Sequence, residues 1–280
     1  MKVSVLVPTL DEELNLPACL DSVAWADEVF VLDSFSHDRT VDIARDNGAH
    51  VVQHAFASYS RQKNWALEHL PFRNDWVLIV DADERVTPAL TTEIGSLLPG
   101  AGYDGYYLNR RFIFLGAWIR HSAWYPSWNL RLFRHRLGRY DDREVHEHVV
   151  LSGRAGYLRN DLLHLDQRGL EAFVARHNRY STLEASARFK AECGAPDRAR
   201  LPVSLLASPV QRKRFLRERI WPKVPSKPLA LFVYMYLLRR GFLDGRAGLA
   251  LCVFQAFQEF MVGLKLAELR RLSSLTPIYR

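Results

Sequence analysis

Trp76-Val77-Leu78-Ile79-Val80-Asp81-Ala82-Asp83 is the stretch that decides how this chain folds. Five apolar residues without a break read as a strand buried on both faces, the kind that fills a parallel sheet. Two acids one residue apart follow where the strand releases the chain. Carboxylates so placed can share a divalent cation, and a cation can hold a diphosphate. The D-x-D pattern of itself is weak, because acids at alternate positions arise by chance in 280 residues. Its weight comes from its surroundings.

Upstream, Val3 to Val7 reads as a buried strand, and Glu12 to Ala24 as a helix with Leu14, Leu16, Leu20 and Val23 on its apolar face. Val29 to Leu32 is a second strand; Asp38-Arg39-Thr40 opens a helix that Gly48 closes. Val51-Val52 is a short third strand, and a helix over Ser60 to Leu70 precedes the fourth at Trp76 to Val80. Strands alternating with amphipathic helices predict βαβ units and a parallel sheet covered on both faces. Ligands bind such sheets beyond the carboxyl ends of the strands. Acids stand at three of those ends: Asp11, Asp33, and the pair Asp81 and Asp83. Right-handed crossovers bring all three to one edge. From Tyr103 to Leu165 the pattern changes to short aromatic and basic segments, which predict strands and long loops walling that edge. A helix over Leu170 to Phe189 follows, Gly194-Ala195-Pro196 breaks it, and the rest reads helical.

Hydrophobic content of 48% with 25% charge is globular composition. A net charge of +7 calls for an anionic partner: phosphates, nucleic acid or an acidic membrane. No segment resembles a nucleic-acid-binding motif, so nucleic acid is not expected. Cys19, Cys193 and Cys252 are far apart and read as buried thiols in a reducing compartment. The N-terminus turns acidic too soon for a signal peptide, which predicts a cytoplasmic protein. Uncharged apolar runs, the longest at Leu229 to Leu238 and Ala247 to Phe257, fall short of the roughly 18 residues of an ordinary span.

The segments at 4–23, 28–44, 61–67 (RQKNWAL) and 76–86 (WVLIVDADERV) resemble, in order, the motifs of family 2 glycosyltransferases with the GT-A fold. RLFR at 131–134, EVHEHV at 144–149, the segment 162–181 and RRGFLDGRAGL at 239–249 are similar to the bacterial lipopolysaccharide-core glucosyltransferase branch. The resemblance implies a Rossmann-like α/β domain with a mostly parallel sheet. Residues 1–100 would form the nucleotide-sugar half, 101–190 the acceptor and catalytic half, and 191–280 a basic, amphipathic helical extension.

The resemblance also implies roles. Pro8 and Leu10 line the nucleotide base, with Asp11 in the same loop. Asp33 either bonds the uracil or ribose, or caps the turn at Ser34 to Asp38; Ser34 replaces a second acid common in relatives. Lys63, with Arg61 as rival, neutralises the diphosphate. Asp81 lies near ribose and metal with Ala82 between the acids, and Asp83 binds the metal, Mg²⁺ or Mn²⁺ by the hardness of its ligands. His164 either completes the metal site or is a core residue. Glu147 is the expected base toward the acceptor hydroxyl, with Glu144 and Asp142 as rivals, while His146 and His148 orient neighbours or simply pack. Trp124, Tyr125 and Trp128 stack on sugar faces or are wall aromatics. Arg131 and Arg134 either meet acceptor phosphates or form surface ion pairs.

Gln211 to Lys227 carries seven basic residues against Glu218, interleaved with Phe215, Leu216, Ile220 and Trp221. That pattern reads as peripheral attachment to anionic lipid at the inner face of the cytoplasmic membrane, or else as a helical subdomain packed on the catalytic domain or on a second copy. The expectation is an inverting, metal-assisted hexosyltransferase that takes a nucleotide sugar, UDP-linked, to a lipid-linked or lipopolysaccharide-core acceptor. A sugar-nucleotide pyrophosphorylase would want a Gly-rich loop where Pro8-Thr9-Leu10-Asp11 stands. A non-enzymatic basic scaffold would leave the strand-end acids without a task.

Overall fold

The computed structural model describes residues 1–100, 102–141, 148–193, 224 and 226–275. Two compact units divide the chain: Met1–Arg120 with Trp124–Gly169, and His121–Ala123 with Leu170–Arg280.

The first unit is built on strands β1 (Ser4–Thr9), β2 (Glu28–Asp33), β3 (His50–Gln53) and β4 (Trp76–Ile79), all parallel, in the order β3-β2-β1-β4. Their continuous apolar runs serve two cores, because successive side chains leave a strand on opposite faces. Val5, Val7, Val31 and Leu78 pack under helices α1 (Leu16–Val23) and α4 (Pro88–Leu97). Leu6, Leu32, Val77 and Ile79 pack with Ala66 of α3 (Tyr59–His69) on the other face. Helix α2 (Thr40–Asp46) joins β2 to β3. Helix α1 starts four residues later than its periodicity suggests. Pro17 sits in its first turn, where a missing N–H costs nothing, and Leu14 is exposed in the turn before it.

The aromatic and basic region does not stand over the sheet edge; it continues the sheet. After β5 (Glu84–Val86), the first part of the region expected as short segments is one ten-residue strand, β6 (Gly105–Phe114). The short β7 (Ala117–Trp118) pairs with it. Strands β8 (Trp128–Arg134) and β11 (Ala155–His164) complete the order β4-β8-β6-β11-β5. The sheet is therefore mixed: β4–β8, β8–β6 and β11–β5 pair antiparallel, and β6–β11 pairs parallel. Strands β9 (Gly138–Tyr140) and β10 (Val149–Leu151) form a separate ribbon.

In the second unit, helix α5 (Gly169–Glu192) is followed, beyond undescribed residues, by α6 (Lys227–Phe232), which continues as a π-helix over Val233–Leu238. A turn over Gly241–Asp244 leads into α7 (Gly245–Leu275). The break at Gly194–Pro196 and nearly all of the basic stretch at 211–227 lie outside the described residues. The helical region does contain one segment, Gly241–Ser274, long and apolar enough to cross a membrane by length and composition. Cys19 and Cys252 are buried as expected, whereas Cys193 is exposed at the frayed end of α5.

Candidate active site

Asp81 and Asp83 leave β4 in a turn that the neighbouring strands close from both sides. Antiparallel pairing sets His164, the last residue of β11, opposite Glu84, so the imidazole arrives beside Asp83. On the other side, β8 runs against β4 with Trp76 opposite Arg134 and Leu78 opposite Leu132. That register carries Arg131 toward the carboxyl end of β4 and leaves Arg134 at its amino end.

Arg131 is 7% exposed and grips the turn: Nη2 donates to Asp81 Oδ2 at 2.5 Å and to Glu84 Oε1 at 3.1 Å, and Nη1 donates to Asp81 Oδ1 at 3.3 Å. Arg131 thus answers Asp81 and Glu84 from a buried position, not as a surface ion pair. Arg134 pairs with Asp75 and Asp104 and lies over Trp76, away from this edge. Lys63 Nζ is 3.4 Å from Asp81 Oδ1, buried over the Tyr140 ring. Arg61 points outward, and its backbone N–H meets the capping Ser58 hydroxyl. Of the two candidates, the structure brings Lys63 to the acids. Burial alone would raise the Asp81 pKa, but Arg131 and Lys63 outweigh it and hold the carboxyl well below its usual range.

Asp83 Oδ2 lies 3.4 Å from His164 Nε2. Both ring nitrogens of His164 are buried with no hydrogen-bond partner, although Phe112 packs edge-on against the ring. A buried imidazole without a partner suits a group that binds a cation. No cluster of three or more His, Cys, Asp or Glu in metal-binding arrangement occurs among the described residues. Asp83 and His164 set a carboxylate and an imidazole side by side, a donor pair that fits a divalent cation.

Residues that the sequence reading passed over complete the edge. Arg168 Nη1 donates to Glu12 Oε1 at 2.8 Å, its Nε and Nη2 bond Asp166, and Nη2 is 4.0 Å from Asp83. Asn15 donates to Glu12 and Asp166 and accepts from the Gln167 amide, tying the loop after β1 to the segment after β11. The signal was present in DQRG at 166–169, directly behind His164, but its partners are some 150 positions away in sequence. Glu84 is 0% exposed and holds the Asp81 amide, Arg131 and Arg110.

Burial raises the Glu12 pKa to about 7, against the lowering pull of Arg168 and Asn15. The folded state then binds more protons than the unfolded chain between pH 4.5 and about 7, so this group's contribution is full below 4.5 and lost as pH rises through 7. Metal-free Glu12→Gln protein should accordingly gain stability relative to wild type from pH 5 to 7.5. Paired thermal-unfolding curves check this; a constant difference would remove Glu12 from the titrating groups.

At the second acidic end, Asp33 is fully buried and accepts from Thr9, the Ser36 amide and hydroxyl, and Gln53. These donors engage both oxygens, so turn capping describes its contacts. Asp11 links the loops, its amide donating to Ser36 and its carboxylate accepting from the His37 amide. Pro8 is half-buried in β1, Leu10 is exposed at the strand end, and Ala82 is buried.

Toward the expected acceptor side, Trp124 stacks on Phe112, which itself touches His164. The Tyr125 hydroxyl bonds Asp161, and Trp128 meets Tyr157 edge-on with its indole partly exposed. Asn64 clamps the backbone of Tyr140 through both its amide groups, 2.9 and 2.8 Å. Asp142, Glu144, His146 and Glu147 lie outside the described residues, and His148 is exposed, its amide donating to Asp141.

The mixed sheet thus gathers paired acids, a buried histidine and buried bases at one edge. The family model described as glycosyl transferase family 2 matches residues 4–164, and the chain belongs to that family. It is 31% identical over 193 residues to the lipopolysaccharide core biosynthesis glycosyltransferase LpsC of Rhizobium meliloti, 66% of this chain and 71% of that protein. An uncharacterized glycosyltransferase of Rickettsia typhi is 27% identical over 97% of this chain and 88% of its own. Among solved structures, the mannosyltransferase PcManGT of Pyrobaculum calidifontis, in complex with GDP-Man and Mn²⁺, superposes with a TM-score of 0.54. It is 17% identical over 95% of this chain and 87% of that one, a likeness of fold. The fold is GT-A with a long C-terminal helix, and the protein is a glycosyltransferase.

Proposed function

We propose that this glycosyltransferase moves a hexose from a UDP-linked sugar to a lipid-linked saccharide of the lipopolysaccharide-core type, with inversion, at the cytoplasmic face of the membrane. The observation that carries the reading is Asp83 facing the unpartnered His164 on the edge where Lys63 and Arg131 are buried. Asp83 and His164 would hold Mg²⁺ or Mn²⁺, which supplies Lewis-acid stabilisation of the departing diphosphate. Lys63 neutralises phosphate charge from the helix side, and Arg131 keeps Asp81 ionised and oriented. Asp33 and Asp11 shape the loops that take the nucleotide. The likeness to the Rhizobium lipopolysaccharide core enzyme supports the acceptor class.

The attacking hydroxyl needs a base, and Glu147 is assigned that role from the VHE segment. Glu147→Gln should keep donor binding while turnover falls by about a hundredfold or more. Single-turnover rates beside calorimetric donor binding check it, and near-normal turnover would move the base to Glu144 or Asp142. Screening nucleotide sugars for Mn²⁺- or Mg²⁺-dependent thermal stabilisation tests the donor. If no nucleotide sugar stabilises the protein in either metal, the proposal fails.

A further inference from the structure

The helical hairpin formed by α6, its π-helical continuation and α7 leaves an unusual amount of apolar surface in water. At its turn, Leu237, Leu238, Phe242 and Leu243 are all exposed, Leu238 by 72%. Along α7, Leu249, Val253, Phe257, Phe260 and Leu264 are exposed as well, at intervals of three or four residues that set them in one stripe. The opposite face of α7 is already used. Val262 and Leu266 pack on Ala185 of α5, Glu259 pairs with Arg188 at 2.8 Å, and Lys265 donates to Asn178 and Ser181.

From the hairpin turn to Leu264, exposed charge has one sign. Between Pro228 and Leu264 the ionisable residues that carry charge at neutral pH are Arg239, Arg240, Asp244, Arg246 and Glu259. Both acids are turned inward: Asp244 accepts from the His121 amide and faces its ring at 2.7 Å, and Glu259 is held by Arg188. The three arginines are exposed, two of them in the apolar turn and the third at the start of the stripe. An exposed apolar patch whose turn end carries three exposed arginines and no exposed acid matches an interface of acyl chains and anionic headgroups. Pairing of this surface with a second copy by two-fold symmetry would bring arginine clusters together without an exposed acid of this stretch to answer them.

We infer that the hairpin turn Leu237–Leu243 and the outer stripe of α7 form a docking surface for an anionic lipid bilayer. Leucine and phenylalanine side chains enter the acyl boundary, and Arg239, Arg240 and Arg246 meet phosphate headgroups. Helix α7 lies along the bilayer instead of crossing it, since its inner face carries ion pairs and polar contacts to α5 that hydrocarbon would not accommodate. None of the residues named for this surface belongs to the basic stretch at 211–227. The surface deepens the proposed function by naming where a lipid-borne acceptor would be met, and it is tested apart from catalysis.

The test is co-sedimentation of the full chain with vesicles of phosphatidylcholine alone or with phosphatidylglycerol. The protein should sediment with the anionic vesicles. The triple variant Arg239→Gln/Arg240→Gln/Arg246→Gln should bind them roughly a hundredfold more weakly. The variant Leu238→Ser/Phe242→Ser/Leu243→Ser, which alters exposed side chains and should unfold at the wild-type temperature, should lose binding to both vesicle types. Wild-type levels of binding by both variants, or equal wild-type binding to neutral and anionic vesicles, would overturn the inference. So would a dimer in sedimentation equilibrium that the serine variant dissociates while vesicle binding is absent. Metal-dependent UDP binding, measured in parallel, reports on the donor site; its retention without sedimentation sinks the membrane surface alone.

Discussion

Asp83→Asn should abolish the metal-dependent part of UDP binding and lower turnover by about three orders of magnitude, the scale of removing a key electrostatic group from a reaction centre. Asparagine preserves shape, so the strand pairing that brings His164 opposite Glu84 should survive, and with it the thermal stability. What disappears is the charge. A neutral amide beside His164 is a poor partner for a hard divalent cation, and the departing diphosphate would have to leave with its charge uncompensated. Calorimetry with UDP in Mn²⁺ and in chelator separates the contributions: wild type should differ between the two, the variant should not. Unchanged binding in Mn²⁺ would sink the assignment of Asp83 as a cation ligand.

Arg131→Met should be the most destabilising single change at the site. The side chain is buried, its guanidinium answers both Asp81 and Glu84, and Glu84 has no exposure to recover hydration. Removing one partner of a buried ionic cluster costs about 3–5 kcal/mol, because the remaining charges stay buried. Lys63 and Arg110 remain nearby and set the lower end of that range. Adding Glu84→Gln to Arg131→Met should return part of the loss, since one orphaned charge is then gone. The pH dependence has a definite sign. The Asp81 pKa is depressed in the folded state, so its stabilisation is present above the unfolded carboxylate range and is lost as pH falls. The gap between wild type and Arg131→Met should therefore be widest near neutrality and narrow below about pH 4. Denaturant titrations at several pH values check both statements, and a variant as stable as wild type at pH 7 would refute them.

The parallel half of the sheet was legible because its strands are continuous apolar runs with acids at their ends, a pattern that needs only local sequence. The mixed half was not. Strand β6 carries Asn109, Arg110 and Arg111 mid-strand, which breaks the apolar pattern, and these side chains find Asp161 and Glu84 only through pairing with distant strands. The opposite placements of Arg131 and Arg134 come from the register of β8 on β4, and two arginines in an RLFR segment carry no mark of it. Asp81 and Asp83 were found from their position after β4. Their separate tasks were less visible: one acid sits between bases and the other faces an unpartnered imidazole, a difference made by neighbours far along the chain.

The clasp between the two ends of the first unit bears on how small a working piece of this enzyme can be. The family match stops at His164, and a fragment cut there would keep both aspartates and the imidazole. It would lack Asp166, Gln167 and Arg168, removing the partners that Glu12 and the buried Asn15 of the opening loop have in the segment after β11. A fragment that keeps this clasp has to run past Arg168, a few residues beyond the point where sequence likeness alone would set the scissors.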